Sequence, residues 1–177
     1  MHHAFQGEGQ GWGFSPRSIT MKTKVTVVGA GNVGATTAHW LAAMNVADVV
    51  LLDIPQMEKM PMGKALDLMQ AGPVFGFDTQ VVGTNDYADT KDSDVVVVTA
   101  GVPRKPGMTR EDLVQTNQRI ITDVIGRALA ASPHAIFIVV TNPLDTMVYL
   151  ALKVSGLPRE RQRSCSRGTV ERETVSC

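Results

Sequence analysis

The chain has 177 residues, 44% hydrophobic, 19% charged and 5% aromatic, which is enough apolar content to bury one core and points to one domain. Seventeen Lys and Arg balance seventeen Asp and Glu, so there is no basic field of the kind that nucleic acid or an anionic membrane calls for. The longest apolar stretch, around Val95–Val102, is less than half a membrane span. Residues 1–20 carry Gly at 7, 9, 11 and 13 without strand or helix periodicity, and lack the basic-then-apolar layout of a secretory signal. They read as a disordered extension before a start at Met21, with a genuine N-terminal arm as the alternative. The expectation is a soluble protein of the cytoplasm.

From Met21 strands and helices alternate. Lys24–Gly29 is a short apolar strand, and Val33–Met44 is helical with Val33, Thr37, Trp40, Leu41 and Met44 on one face. Val49–Asp53 is the second strand, Met62–Gln70 a helix behind Pro61, and Thr79–Gly83 a third strand. Asp94–Thr99 holds Val95–Val98, a run without polar alternation, as a central strand covered on both faces requires. Glu111–Ala131 is a long helix with Thr109 as N-cap and Asp112 three residues on. Ile136–Val140 is the next strand and Pro143–Val154 the next helix, with Asn142 as its N-cap and Pro143 at its first position. This alternation predicts an α/β fold, a doubly wound parallel sheet with helices on both faces. Through Arg161 the pattern holds. Residues 162–177 contain both cysteines, Cys165 and Cys177, and have no periodicity; they read as an unstructured tail. Two cysteines so placed make no disulfide framework and no metal knuckle, so no metal is expected.

Gly29-Ala30-Gly31-Asn32-Val33-Gly34 fits G-x-G-x-x-G, follows an apolar strand and opens an amphipathic helix. A second strand then ends in Asp53, nineteen residues past Gly34, which is the context of the dinucleotide fingerprint. Gly29 permits the tight turn, Gly31 lets the backbone approach a pyrophosphate, and Gly34 lets helix and strand pack closely. Free N–H groups and the positive dipole end of the helix then hold the phosphates. Asp53 accepts from both ribose hydroxyls and repels a 2′-phosphate, so NAD is preferred over NADP. A methyltransferase shares this layout but uses a looser turn, and three glycines favour a dinucleotide.

After the central strand comes the loop from Ala100 to Leu113, with Arg104, Lys105 and Arg110 inside seven residues. Loops at the carboxyl ends of such strands hold ligands. Arg104 and Arg110 can each offer a planar fork to a carboxylate, unless the run is a solvated basic surface. Asn117 lies on the apolar face of the long helix, where an amide needs a partner, either neighbouring backbone or bound cofactor. Asn142 stands at the exit of the strand at 136–140, where a substrate would sit.

Taken together, VTVVGAGNVGATTAHWLA, VVLLDI, GKALDL, VGTNDYADT, DVVVVTAGVPRKPGMTREDL and VTNPLD resemble the lactate/malate dehydrogenase family, from Met21 to about Arg161. The match is best with the bacterial malate branch that looks like lactate dehydrogenase. The resemblance implies a Rossmann domain and NAD-dependent interconversion of malate and oxaloacetate, a step of the tricarboxylic acid cycle, in a homo-oligomeric enzyme. It implies that Arg104 reads the second carboxylate of the substrate, where lactate enzymes carry Gln, and that Arg110 polarises the reacting carbonyl from a closing loop. Gly29, Ala30, Gly31, Asn32, Val33, Gly34 and Asp53 are the implied cofactor-binding residues. Asn117, Val140, Thr141 and Asn142 join them near the nicotinamide, Asn142 touching substrate as well.

The family mechanism also needs a proton-transferring His, an Asp that orients it and a further Arg, all downstream of the matched segment. The histidines of this chain are His2, His3, His39 and His134, and none stands in a matching position. The expectation is therefore a malate dehydrogenase by descent that lacks the last strand or strands of its sheet and the C-terminal substrate domain. A shift of reading frame near Arg161 would explain the changed composition. The alternatives are a non-catalytic NAD-binding fragment and a lactate dehydrogenase.

Overall fold

A computed structural model describes residues 22–57 and 59–164. Six parallel strands form one sheet in the order β3-β2-β1-β4-β5-β6: β1 Lys24–Val28, β2 Asp48–Leu52, β3 Val81–Thr84, β4 Val95–Val98, β5 Ile136–Val139 and β6 Gln162–Ser164. The order reverses between β1 and β4. Neighbours are in register, Val27 facing Leu51 on one side and Val97 on the other.

Side-chain alternation along these strands builds two cores. Val25, Val27, Val49, Leu51 and Val97 point to the face covered by α1 (Asn32–Ala43) and α2 (Lys59–Phe75). Val28, Leu52, Val96, Val98, Phe137 and Val139 point to the face under α3 (Arg110–Ala131) and α4 (Leu144–Ser155). Polar side chains on the inner strand are paired. The Thr26 and Ser93 hydroxyls are 2.7 Å apart, and the Ser93 hydroxyl donates to the Thr90 carbonyl, which leaves Thr26 as the donor to Ser93.

α3 starts where its sequence says it should. The Thr109 hydroxyl accepts from the Asp112 N–H while the Asp112 carboxylate accepts from the Thr109 N–H at 3.0 Å, a reciprocal capping box. The same hydroxyl and N–H donate to Asp112 and hold its carboxyl below the ordinary range. A lowered folded value means that this contribution is present above the unfolded carboxylate pKa and is lost as pH falls through the folded one. Thr109→Ala is expected to cost about 1 kcal/mol in urea unfolding at neutral pH, and less in acid.

Several expectations are corrected. The apolar face named for the first helix is not its buried face: Gly34, Ala38 and Ala42 pack on the sheet, while Val33, Trp40 and Met44 are 57–65% exposed. Small residues win because the helix rides close to β1 and β2, and the close approach has no room for the large ones. α2 runs from Lys59 to Phe75 rather than from Met62 to Gln70. Pro61 lies in its first turn, where no N–H is needed, and the helix ends only at Gly76, whose φ of 77° lets its N–H and that of Phe77 close on the Gly72 carbonyl.

β3 is displaced to Val81–Thr84, and α4 is capped by Pro143 rather than by Asn142, with no side-chain cap. The Asn142–Pro143 peptide is cis.

The last strand expected to be missing is present in short form. Gln162–Ser164 pairs with Phe137–Val139 as β6. Side-chain anchors, rather than periodicity, put it there. The Arg161 guanidinium donates to the Pro133 and Ala135 carbonyls, and the Gln162 amide to the Val148 carbonyl at 2.6 Å. The tail therefore joins the sheet for three residues past the expected boundary. The extension at 1–20 and the tail from Cys165 onward lie outside the described residues.

Candidate functional site

The carboxyl ends of β1, β2, β4 and β5 meet at the point where strand order reverses, the place where open parallel sheets bind ligands. The turn after β1 is shaped by its glycines. Gly29 has a φ of 105°, and a Cβ there would sit 2.8 Å from both the Ala100 N and the Thr99 hydroxyl. A Cβ at Gly34 would run into the Gly29 carbonyl. A Cβ at Gly31 meets no protein atom within 4 Å. Packing thus explains two of the three glycines, and the third faces open space. Just past β4, the Thr99 hydroxyl donates to the Val28 and Gly29 carbonyls at 3.1 and 3.0 Å and ties the two strand ends together.

Asp53 closes the end of β2. Its Oδ2 accepts from the Ala30 N–H at 2.7 Å and its Oδ1 from the Ile54 N–H at 2.7 Å, so the carboxylate is fixed beside the turn. The α1 N-terminus behind the turn has no side-chain cap and no acid in its first turn. Its outward N–H groups, with the positive end of the helix dipole, form a site for negative charge.

Beside Asp53 opens a cavity of about 310 Å3 whose walls include Leu52, Ile54, Tyr87, Ile120 and Val124. Sequence reasoning missed this pocket. Its walls come from β2, α3 and the turn at 85–87, and only the fold brings them together. The segment VGTNDYADT supplies part of it: Asn85 donates to the Asp53 and Ile54 carbonyls at 3.0 and 2.9 Å and shapes the rim. The Arg127 guanidinium lies 5.7 Å from the Tyr87 ring centre. Burial, and secondarily the Asp123 charge, pushes the Tyr87 hydroxyl up to about 12, so the phenol stays neutral.

Asn117 is fully buried and its amide is spent on backbone. Its Oδ1 accepts from the Val102 N–H at 2.8 Å, and its Nδ2 donates to the Asn142 carbonyl at 2.7 Å and to the Val102 carbonyl at 3.3 Å. Of the two partners left open by the sequence, the backbone holds it. Its effect is to lash the loop after β4 to the loop after β5. Thr141 does the same with its hydroxyl on the Ala100 carbonyl at 2.7 Å, and the Val140 N–H extends the ladder to the Val98 carbonyl. Asn142 is exposed at this junction.

Arg104 and Arg110 are both exposed in the segment that follows β4, Arg110 as the first residue of α3. The Arg104 Nε donates to the Met108 carbonyl at 3.0 Å, which folds the loop on itself. His39 and His134 are exposed and away from these residues, His39 on α1 against Trp40 and His134 ahead of β5. Among the described residues no group of His, Cys, Asp and Glu can hold a metal, and no helix is long and apolar enough to cross a membrane.

Residues 23–163 match the family described as lactate/malate dehydrogenase, NAD binding domain. A malate dehydrogenase of Rhodopirellula baltica is 64% identical over 135 residues, which are 76% of this chain and 43% of that protein. One of Heliobacterium modesticaldum is 56% identical over 140 residues, 79% of this chain and 45% of the relative. The chain thus spans less than half the length of the curated relatives it matches. Among solved structures, the apo malate dehydrogenase of Picrophilus torridus superposes with a TM-score of 0.77 at 41% identity, covering 81% of this chain and 45% of that one. The Eimeria maxima lactate dehydrogenase with NADH and oxamate gives 0.77 at 33% identity over 86% of this chain and 46% of its own. With the family match spanning residues 23–163 and the sheet and glycine turn in the places described, the chain belongs to the lactate/malate dehydrogenase family, as its NAD-binding domain.

Proposed function

We propose that this chain is the cofactor-binding half of a malate dehydrogenase and binds NAD across the carboxyl ends of its strands. The observation that carries the reading is Asp53: a carboxylate locked by two backbone N–H groups between the open glycine turn and an apolar cavity. Each of its oxygens keeps lone-pair capacity for a ribose hydroxyl, and its charge disfavours a 2′-phosphate. The Asn32 and Val33 N–H groups on the α1 N-terminus take the pyrophosphate, and the cavity beside Ile54 and Tyr87 takes the adenine. Ala30, Gly31 and Gly34 shape the cradle around the phosphates, and Val140, Thr141 and Asn142 line the nicotinamide side, where Asn117 positions the backbone. When bound, NAD supplies the hydride acceptor.

Malate or oxaloacetate follows from Arg104 in an enzyme of the relatives' length. A guanidinium fork binds the second carboxylate of a dicarboxylic acid, which pyruvate lacks. Arg110 faces the reacting carbonyl, and Asn142 the substrate hydroxyl. This favours malate over the lactate alternative. For the 177-residue chain on its own, binding without turnover is the reading, because neither described histidine stands in the site.

The test is a hybrid in which residues 23–163 precede the second half of the Rhodopirellula baltica relative. There, Arg104→Gln is expected to slow oxaloacetate reduction by about tenfold or more and to improve pyruvate reduction, since a charge-assisted pair is worth about 1.5–3 kcal/mol. Rates for the two acids that fall together would make Arg104 a surface cation.

A further inference from the structure

One charged side chain reaches the glycine turn without being part of the fingerprint. Lys64, half-buried on α2, donates from its Nζ to the Ala30 carbonyl at 2.5 Å. The Ala30 N–H is already bonded to Asp53. Both polar groups of this one residue are therefore held by side chains of opposite charge, one from the end of β2 and one from α2. The Lys64 stem runs in the groove between α1 and α2, beside Thr36 and Asp67. Among the described residues no carboxylate pairs with its ammonium. The first turn of α1 carries no acid, and the carboxylate at the turn, Asp53, is bonded to the N–H side of Ala30 while Lys64 holds its carbonyl.

A backbone carbonyl beside a diphosphate has the wrong sign. Its lone pairs repel phosphate oxygens, and on Ala30, which is buried, it needs a donor in any case. A neutral donor would satisfy the carbonyl and leave that repulsion largely in place. An ammonium reverses the sign of the local field and adds to the helix dipole at the same spot. We infer that Lys64 is a positioning residue for the pyrophosphate: it pins the Ala30 peptide in the orientation that opens the cradle and neutralises it towards the arriving phosphates. The inference rests on the NAD reading given above.

Equilibrium dialysis of the 177-residue chain against NAD and against adenosine separates charge from scaffolding, because adenosine has no phosphate. Lys64→Met is expected to weaken NAD retention about tenfold at low salt and about twofold or less near 1 M salt, where the Debye length is roughly 3 Å. Adenosine retention stays unchanged, and Lys64→Arg keeps NAD within about threefold of the unaltered chain. Lys64→Gln, a neutral donor, provides the same comparison if the Met variant loses its circular dichroism. Equal losses for NAD and adenosine, or a loss independent of salt, would reduce Lys64 to a strut and overturn the inference. Unchanged NAD retention in the variants would overturn it too while leaving the NAD reading intact. Failure of the unaltered chain to retain NAD would sink both.

Discussion

Oxaloacetate added to the purified 177-residue chain with NADH is expected to cause no oxidation above a protein-free control. Reduction of the carbonyl needs a proton delivered as hydride arrives, and a positioned acid contributes about 10²–10⁴-fold. His39 and His134 are exposed, His39 within α1 and His134 ahead of β5, at the end of the sheet opposite the carboxyl ends that Asn142 follows. Arg104, Arg110 and Asn142 are all exposed to solvent, so these side chains neither hold a bound acid in one orientation nor exclude water from it. The deficits multiply. NADH oxidation that depends on oxaloacetate, from a preparation free of host enzyme, would show that a group within residues 1–177 moves the proton.

The second large effect is steric. Gly34→Ala is expected to destabilise the domain by about 3 kcal/mol or more, at the upper end of overpacking costs. The added Cβ runs into the Gly29 carbonyl and comes within 2.8 Å of the Thr99 hydroxyl. Neither can move away: Gly29 is held by its N–H on the Leu52 carbonyl at 2.7 Å, and the Thr99 hydroxyl is bonded to two carbonyls. Gly31→Ala is the control in the same turn. Its Cβ meets nothing, so stability should stay within about 0.5 kcal/mol while NAD affinity falls, because the methyl occupies the cradle. Urea unfolding of both variants checks the first effect. Equal losses of stability would mean that the turn is shaped by protein packing throughout.

These two glycines show how much was legible in the sequence. Spacing alone identified the turn, its helix and the acid at the end of the second strand, because G-x-G-x-x-G and a strand-terminal Asp are local patterns with a fixed geometric purpose. The Thr109–Asp112 box was legible for the same reason: both partners lie within one helical turn. Periodicity misled at α1. Its large residues recur on one face, yet the sheet approaches through Gly34, Ala38 and Ala42, and hydrophobicity counts say nothing about how close two backbones come. The cavity beside Asp53 was illegible because Ile54, Tyr87 and Val124 are brought together only by the crossover from β2 through β3 to α3. β6 was hidden because a three-residue edge strand held by the Arg161 and Gln162 side chains has no pattern to find. An amide on the apolar face of α3 signals that Asn117 needs a partner, but that the partner is backbone depends on two loops that are remote in sequence.

What the Asp53 carboxylate accepts is the centre of the account, and it is measured by titrating NADH and NADPH separately into the 177-residue chain by calorimetry. The account predicts that NADH binds at least about tenfold more tightly than NADPH, since a charge placed against Asp53 costs upward of about 1.4 kcal/mol. It further predicts that Asp53→Ser combined with Ile54→Arg reverses the order. Equal affinities in the unaltered chain, or an order that the double substitution leaves untouched, would contradict the role given to Asp53 and with it the assignment of the site.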